Sequence, residues 1–291
     1  MYCFQCEQTY RGTGCSDQSI CGKDEASAAL QDHLIHATKG ICQYAHRARQ
    51  LGAKDRAIDI FVVEALFTTV TNVNFDATRI AAFCLKAAGI RDQARTLYEK
   101  ACAQASKTPE SLTGPALWKP AREQAGLVLQ GYEVSVLKRR EKYGADISGL
   151  QELLIYGVKG AAAYADHAIA LGNADDNIFG FFIEALSYLA NEQQTVDALL
   201  GLSLRCGEVN YKVMELLSNT QAGAYGHPVP TPVRIEPVKG KCILVSGHDL
   251  KDLEELLKQT EGKGVNVYTH GEMLPAHGYP KLKAYKHLVG N

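Results

Sequence analysis

Residues 30–52 read "LQDHLIHATKGICQYAHRARQLG", with apolar side chains at Leu30, Leu34, Ala37, Ile41, Tyr44, Ala48 and Leu51. Alternating steps of four and three put all seven on one face of an α-helix, the stripe of a helix packed in a bundle. Asp24 stands where an N-cap belongs and Gly52 where a C-terminal glycine would end the helix. Residues 150–172, "LQELLIYGVKGAAAYADHAIALG", repeat the pattern 120 residues later, with 11 of 23 positions identical. Phe61 and Glu64-Ala65-Leu66 return at the same offset as Phe181 and Glu184-Ala185-Leu186. A period this long exceeds the ~20–50 residues of solenoid units. The pattern therefore predicts two copies of a helical bundle, each opening on a long helix.

Helices are expected near 24–51, 55–72, 76–88 and 91–106 in the first copy, and near 148–171, 175–190 and 193–218 in the second. Between them "TPESLTGPALWKP" (108–120) is a proline-broken connection. Lys39, Gly40 and Tyr44 return as Lys159, Gly160 and Tyr164. A glycine inside a helix costs roughly 1 kcal/mol against alanine, so close helix packing is the simplest reason to keep it.

The period changes after a Pro- and Gly-rich stretch, 219–240, read as a linker that is neither helix nor central strand. "KCILVSG" (241–247) and "VNVYTHG" (265–271) read as buried parallel strands joined by an amphipathic helix carrying Leu250, Leu253, Leu256 and Leu257. This is the beginning of a doubly wound α/β unit, with no third strand expected in the tail. The predicted organisation is thus an N-terminal segment 1–23, a helical domain 24–218 (copies about 24–120 and 121–218), a linker 219–240 and an α/β beginning at 241–291.

With 31 basic against 32 acidic residues and no basic block, the chain offers no nucleic-acid surface. No apolar run approaches the ~18–20 residues of a membrane span, and no leader pattern precedes the first cysteine. A cytoplasmic protein with reduced thiols is expected. Of nine cysteines, Cys42, Cys84, Cys102, Cys206 and Cys242 lie in or beside apolar segments, as small buried hydrophobes would.

The other four, Cys3, Cys6, Cys15 and Cys21, form C-x2-C-x8-C-x5-C. Thiolates ligate iron–sulfur clusters in fours. A zinc ribbon uses two C-x2-4-C knuckles, and only Cys3 and Cys6 make one. The spacing favours iron–sulfur and leaves zinc or unliganded thiols open. A disulfide framework suits short secreted chains, unlike this one. Gly12, Gly14 and Gly22 would let the backbone fold tightly around a cluster.

His248 and Glu272 follow the ends of the two predicted strands, where open parallel sheets bind ligands. Imidazole and carboxylate both suit iron. A cap by Asp249 and a surface-loop glutamate would explain the same residues without chemistry. His33, His36, His46, His270 and His277 receive no role.

The opening cysteine pattern, "LLIYGVKGAAAYA", "YGHPVPTPV" and "CILVSGHDLKDLEELLKQTEGKGVNVYTHGEMLPAHGYPKLK" together resemble the hybrid cluster (prismane) protein family, over essentially the whole chain. The resemblance implies a multidomain α and α/β fold: two three-helix bundles followed by Rossmann-like domains, of which this chain holds the start of the first. It implies a [4Fe-4S] cluster on Cys3, Cys6, Cys15 and Cys21. It further implies a hybrid [4Fe-2O-2S] cluster whose first protein ligands fall on His248 and Glu272. The family's remaining ligands, several cysteines and a glutamate, lie downstream of Asn291. The implied activity is reduction of hydroxylamine to ammonia and water, or of nitric oxide, with electrons from a donor protein or reductase. The rival expectation is an iron–sulfur electron-transfer module or subunit completed by a second chain.

Overall fold

The computed structural model describes residues 3–9, 11–17 and 19–291. The chain divides into two compact units: residues 1–166 with 175–213, and residues 167–174 with 214–291. The first is helical and the second carries a small parallel sheet.

In the first unit α1 (Glu25–Gln50) begins where Asp24 accepts the Ser27 N–H. The predicted stripe from Leu30 to Ala48 is buried. So are Gln31, Thr38, Lys39 and Gln43 on the other faces, so α1 is enclosed rather than amphipathic. It is surrounded by elements that follow: α2 (Arg56–Thr68), α3 (Ala77–Gln104), a 3-10 turn (Gly114–Leu117), α4 (Gln124–Glu133), α5 (Val136–Ala170) and α6 (Asp176–Tyr188). Of these α3 runs along it most extensively, and α6 and α4 also pack on it. Helices α2 and α6 start 120 residues apart, each under an aspartate cap, Asp55 and Asp175. Gly144 (φ 80°) interrupts α5, so the second long helix proper begins after it.

Three boundaries differ from expectation. α3 is continuous where a break was expected after residue 88. Gly89 is exposed, and the ~1 kcal/mol it costs is outweighed by burial of Ile80, Cys84, Ala87, Ala94 and Tyr98 along the same helix. α7 (Val196–Tyr225) runs seven residues into the predicted linker. It stops at Gly226 (φ 88°), because the first proline capable of breaking it comes only at Pro228. Helix α4 and the first part of α5 fall where no helix was predicted.

In the second unit β1 (Lys241–Ser246), α8 (Leu250–Thr260) and β2 (Val265–His270) form a βαβ unit with parallel pairing from Lys241↔Val265 to Ser246↔His270. A 3-10 turn (Gly271–Gly278) and the short α9 (Pro280–Lys283) lead to β3 (Leu288–Gly290), which pairs parallel with β2. The tail therefore does hold a third strand. It is anchored where the Val267 N–H donates to His287 O at 2.7 Å and the Asn291 N–H to Arg234 O at 3.0 Å. Leu250, Leu253 and Leu257 of α8 pack with Val267, Met273, Tyr279 and Leu282. The buried-strand expectation fails for β1: Cys242 and Leu244 are exposed, because β1 is an edge strand and α8 covers one face only. Among the described residues no helix is long and apolar enough to cross a membrane.

Candidate metal centres

The N-terminal cysteines sit in a segment folded by its own backbone. Cys3 and Cys15 form an antiparallel bridge, with Cys3 N–H to Cys15 O at 3.2 Å and Cys15 N–H to Cys3 O at 3.1 Å. Gly14 (φ 63°) makes the approach possible, since a Cβ there would lie 2.6 Å from Cys3 O. Beyond Cys6 the chain turns through Glu7–Thr9, where the Thr9 N–H and hydroxyl both donate to Cys6 O. Before α1, the Ser19 hydroxyl donates to Lys23 O at 2.5 Å across the Cys21 turn. The helical unit holds the segment from outside: the Tyr156 hydroxyl of α5 donates to Phe4 O, and the Thr71 hydroxyl, in the turn after α2, to Gln5 O.

All four sulfurs are free thiols; Cys3 and Cys15 are half-buried, Cys6 and Cys21 exposed. The fold brings Cys3 and Cys15 side by side, and among the described residues no three His, Cys, Asp or Glu side chains are gathered as a finished metal cage. Burial pushes the Cys3 thiol up, opposed by the charge of Lys23. At Cys21 burial also pushes up, but the Lys23 N–H, the Ser19 hydroxyl and the Lys23 charge together hold the thiol below its usual range. Four cysteines on tight turns, with the Lys23 charge acting to lower the thiols of Cys3 and Cys21, fit a metal or cluster that needs deprotonated sulfur.

Sequence reasoning passed over the charges beneath this segment. Cys3, Phe4 and Gln5 share an enclosed space with Asp32, Arg139, Glu152, Tyr156 and Lys159. Arg139 pairs with Glu152, and the Lys159 ammonium donates to Thr69 O at 3.3 Å. Next to it lies a cavity of about 220 Å³ lined by Asp32, His36, Lys39, Arg139 and Gln151 among others. Burial raises the Asp32 carboxyl to about 6 and lowers Lys39 to about 7 and Lys159 to about 8. The available signal was Lys39 and Lys159 at equivalent repeat positions, each followed by a glycine on the long helix of its copy.

At the other end, His248 and Glu272 each lie two residues beyond the paired strand ends Ser246 and His270. Each follows a glycine with positive φ, Gly247 (149°) and Gly271 (55°), that turns the chain out of its strand. Both side chains are exposed. The next residue, Asp249, is the N-cap of α8 and also faces His167 at 3.5 Å, so capping does not need His248. The Ser246 hydroxyl and His270 Nδ1 share a 3.0 Å hydrogen bond across the strand ends. His277 is buried against the Thr269 hydroxyl at 2.8 Å, a structural role. The pair therefore presents one nitrogen donor and one oxygen donor at the carboxyl edge of adjacent parallel strands, a chemistry that suits iron.

The family model described as Prismane/CO dehydrogenase matches residues 1–291. The chain belongs to the Prismane/CO dehydrogenase family. Among its relatives, the hydroxylamine reductase of Rhodospirillum rubrum is 56% identical over 291 residues, covering 100% of this chain and 53% of that protein. The hydroxylamine reductases of Acidiphilium cryptum and Geobacter metallireducens are 50% and 49% identical, again over 100% of this chain and 53% of theirs. This Prismane/CO dehydrogenase family chain thus spans about half the length of the curated relatives it matches.

Proposed function

We propose that Cys3, Cys6, Cys15 and Cys21 hold a [4Fe-4S] cluster, and that His248 and Glu272 are the first protein ligands of a hybrid [4Fe-2O-2S] cluster completed by residues outside these 291. The observation carrying the second assignment is the matched placement of His248 and Glu272, two residues past the ends of paired parallel strands. The complete protein would reduce hydroxylamine: NH2OH with two electrons and two protons gives NH3 and H2O. When bound, the two clusters would supply the electrons and a Lewis-acidic iron. The chain's own part is to anchor the cysteine segment through Tyr156 and Thr71, and to offer imidazole and carboxylate at a turn-defined edge. The internal repeat is read as two related helical bundles carrying these sites, in a cytoplasmic protein served by a separate electron donor. That relatives covering twice this length are named hydroxylamine reductase supports the reading.

The test is anaerobic iron and acid-labile sulfide counting with hydroxylamine-dependent oxidation of a reduced dye, in the full-length protein. Cys3→Ser should lose the iron and sulfide of one cubane. His248→Ala and Glu272→Gln should abolish turnover while keeping that cubane. Full turnover in both variants would sink the ligand assignment. Iron for a single cubane and no turnover in the full-length protein would favour an electron-transfer module instead.

A further inference from the structure

Lys23 is a buried cation held by neutral side chains; among the described residues Asp32 acts on its charge without forming an ion pair with it. Lys23 is 3% exposed, two residues after Cys21 and one before the α1 cap. Its ammonium donates to Gln31 Oε1 at 2.7 Å and to Gln5 Oε1 at 3.1 Å. Gln5 Nε2 reaches Gln31 Oε1 at 3.3 Å, and Gln31 Nε2 is itself fixed on Asn74 O at 3.1 Å. Two neutral amides thus hold the charge, and among the described residues no carboxylate lies within ion-pair distance. The adjacent Asp24 carboxylate is turned away onto the Ser27 N–H. In the enclosed space beside Cys3, Arg139 and Lys159 are matched in number by Asp32 and Glu152. The charge of Lys23 acts on both Cys3 and Cys21.

A buried ammonium held by neutral amides is unfavourable unless an anion stands nearby, and a cluster on the adjacent cysteines would be such an anion. Gln5 lies between Cys3 and Cys6, and Lys23 follows Cys21, so the ammonium sits among the ligand positions. We propose that Lys23 is the built-in counter-charge of the iron–sulfur cluster on these cysteines and holds its reduction potential up. This rests on the [4Fe-4S] reading above. A cluster on four thiolates is net negative and gains one further negative charge on reduction. No bond or proton need change; one electron enters from the reductant. A fixed positive charge in a low-dielectric setting stabilises the more negative state more.

The experiment is an EPR-monitored titration with dithionite of the anaerobically prepared full-length protein, at fixed pH and salt, following the signal that Cys3→Ser removes, with iron and sulfide counted in every sample. Lys23→Met keeps the stem and removes the charge. It should retain iron and sulfide yet titrate at a midpoint lower by at least about 59 mV, a tenfold drop in the one-electron reduction constant. Gln31→Glu neutralises the ammonium in place with an isosteric carboxylate and should shift the midpoint the same way. Lys23→Arg, and removal of the exposed charge in Lys107→Met, should leave it unchanged. If Lys23→Met does not fold, Gln31→Glu decides alone. A cluster-loaded Lys23→Met or Gln31→Glu chain with the parental midpoint overturns the proposal. A Cys3→Ser protein that keeps the parental iron, sulfide and signal overturns the cluster reading instead.

Discussion

Gly40 and Gly160 occupy equivalent positions in the repeat, each after a lysine, and the structure gives them opposite roles. A Cβ on Gly40 would collide with the carbonyl oxygen of Pro115, and would lie 2.6 Å from Pro115 C and 3.1 Å from Ala116 N. These are backbone atoms of the 3-10 turn packed on α1, itself tied down by the Ala116 N–H donating to Gln43 Oε1 at 2.9 Å. No side chain can swing aside to make room. Overpacking typically costs about 1–3 kcal/mol, while the helical gain of alanine over glycine is about 1 kcal/mol. With rigid backbone in collision on the receiving side the steric term falls at the upper end, about 2–3 kcal/mol, so Gly40→Ala should destabilise by about 1–2 kcal/mol net. A Cβ on Gly160 meets nothing within 4 Å. Gly160→Ala should therefore be neutral or stabilising by up to about 1 kcal/mol. Urea unfolding followed by tryptophan emission is the assay. Trp118 is the chain's single tryptophan and caps the same 3-10 turn, so it reports on the segment that must move. Equal effects of the two substitutions, or a Gly40→Ala chain as stable as the parent, would refute the reasoning.

Three further outcomes follow from the geometry. His33 is fully enclosed, 4.8 Å edge-on from Trp118, and burial lowers it to about 4. The unfolded chain takes up the proton first, so stability falls as pH drops from about 6.5 towards 4, by roughly 3 kcal/mol; Tm against pH should show this, with a shallower slope in His33→Leu. Asp76 accepts the N–H groups of Thr78 at 2.9 Å and Arg79 at 3.1 Å, so Asp76→Ala should cost about 1 kcal/mol in the same urea assay. Leu253 is fully buried against the small sheet; Leu253→Ala should cost about 2–5 kcal/mol and speed amide exchange in β1 and β2 while leaving α1 protected.

Much of the helical unit was legible because burial writes a period into sequence. The Leu30-to-Ala48 stripe, the Asp24 cap and the strands at 241–246 and 265–270 all follow from spacing and capping chemistry. What was missed shares a cause. Gly89 looked like punctuation, yet its neighbours' burial carried α3 across it. β1 looked buried because it is apolar, but an edge strand covered on one face leaves Cys242 and Leu244 exposed. β3 has three residues, too few for a pattern, and exists through its pairing with β2.

For the candidate sites the sequence alone supplied the proposed donors: four thiols at fixed spacing, and a His and a Glu behind two strand ends. It also determined the turns that present them, since Gly14, Gly247 and Gly271 all take positive φ. Tertiary structure decided which equivalent residues differ. Gly40 touches a carbonyl and Gly160 touches nothing. Lys23, one more lysine in the chain's near-neutral charge balance, becomes a buried cation between two glutamines. Local conformation depends on neighbours in sequence, which a reader can see. Close contact and the field at a buried charge depend on neighbours in space, which only the folded chain brings together.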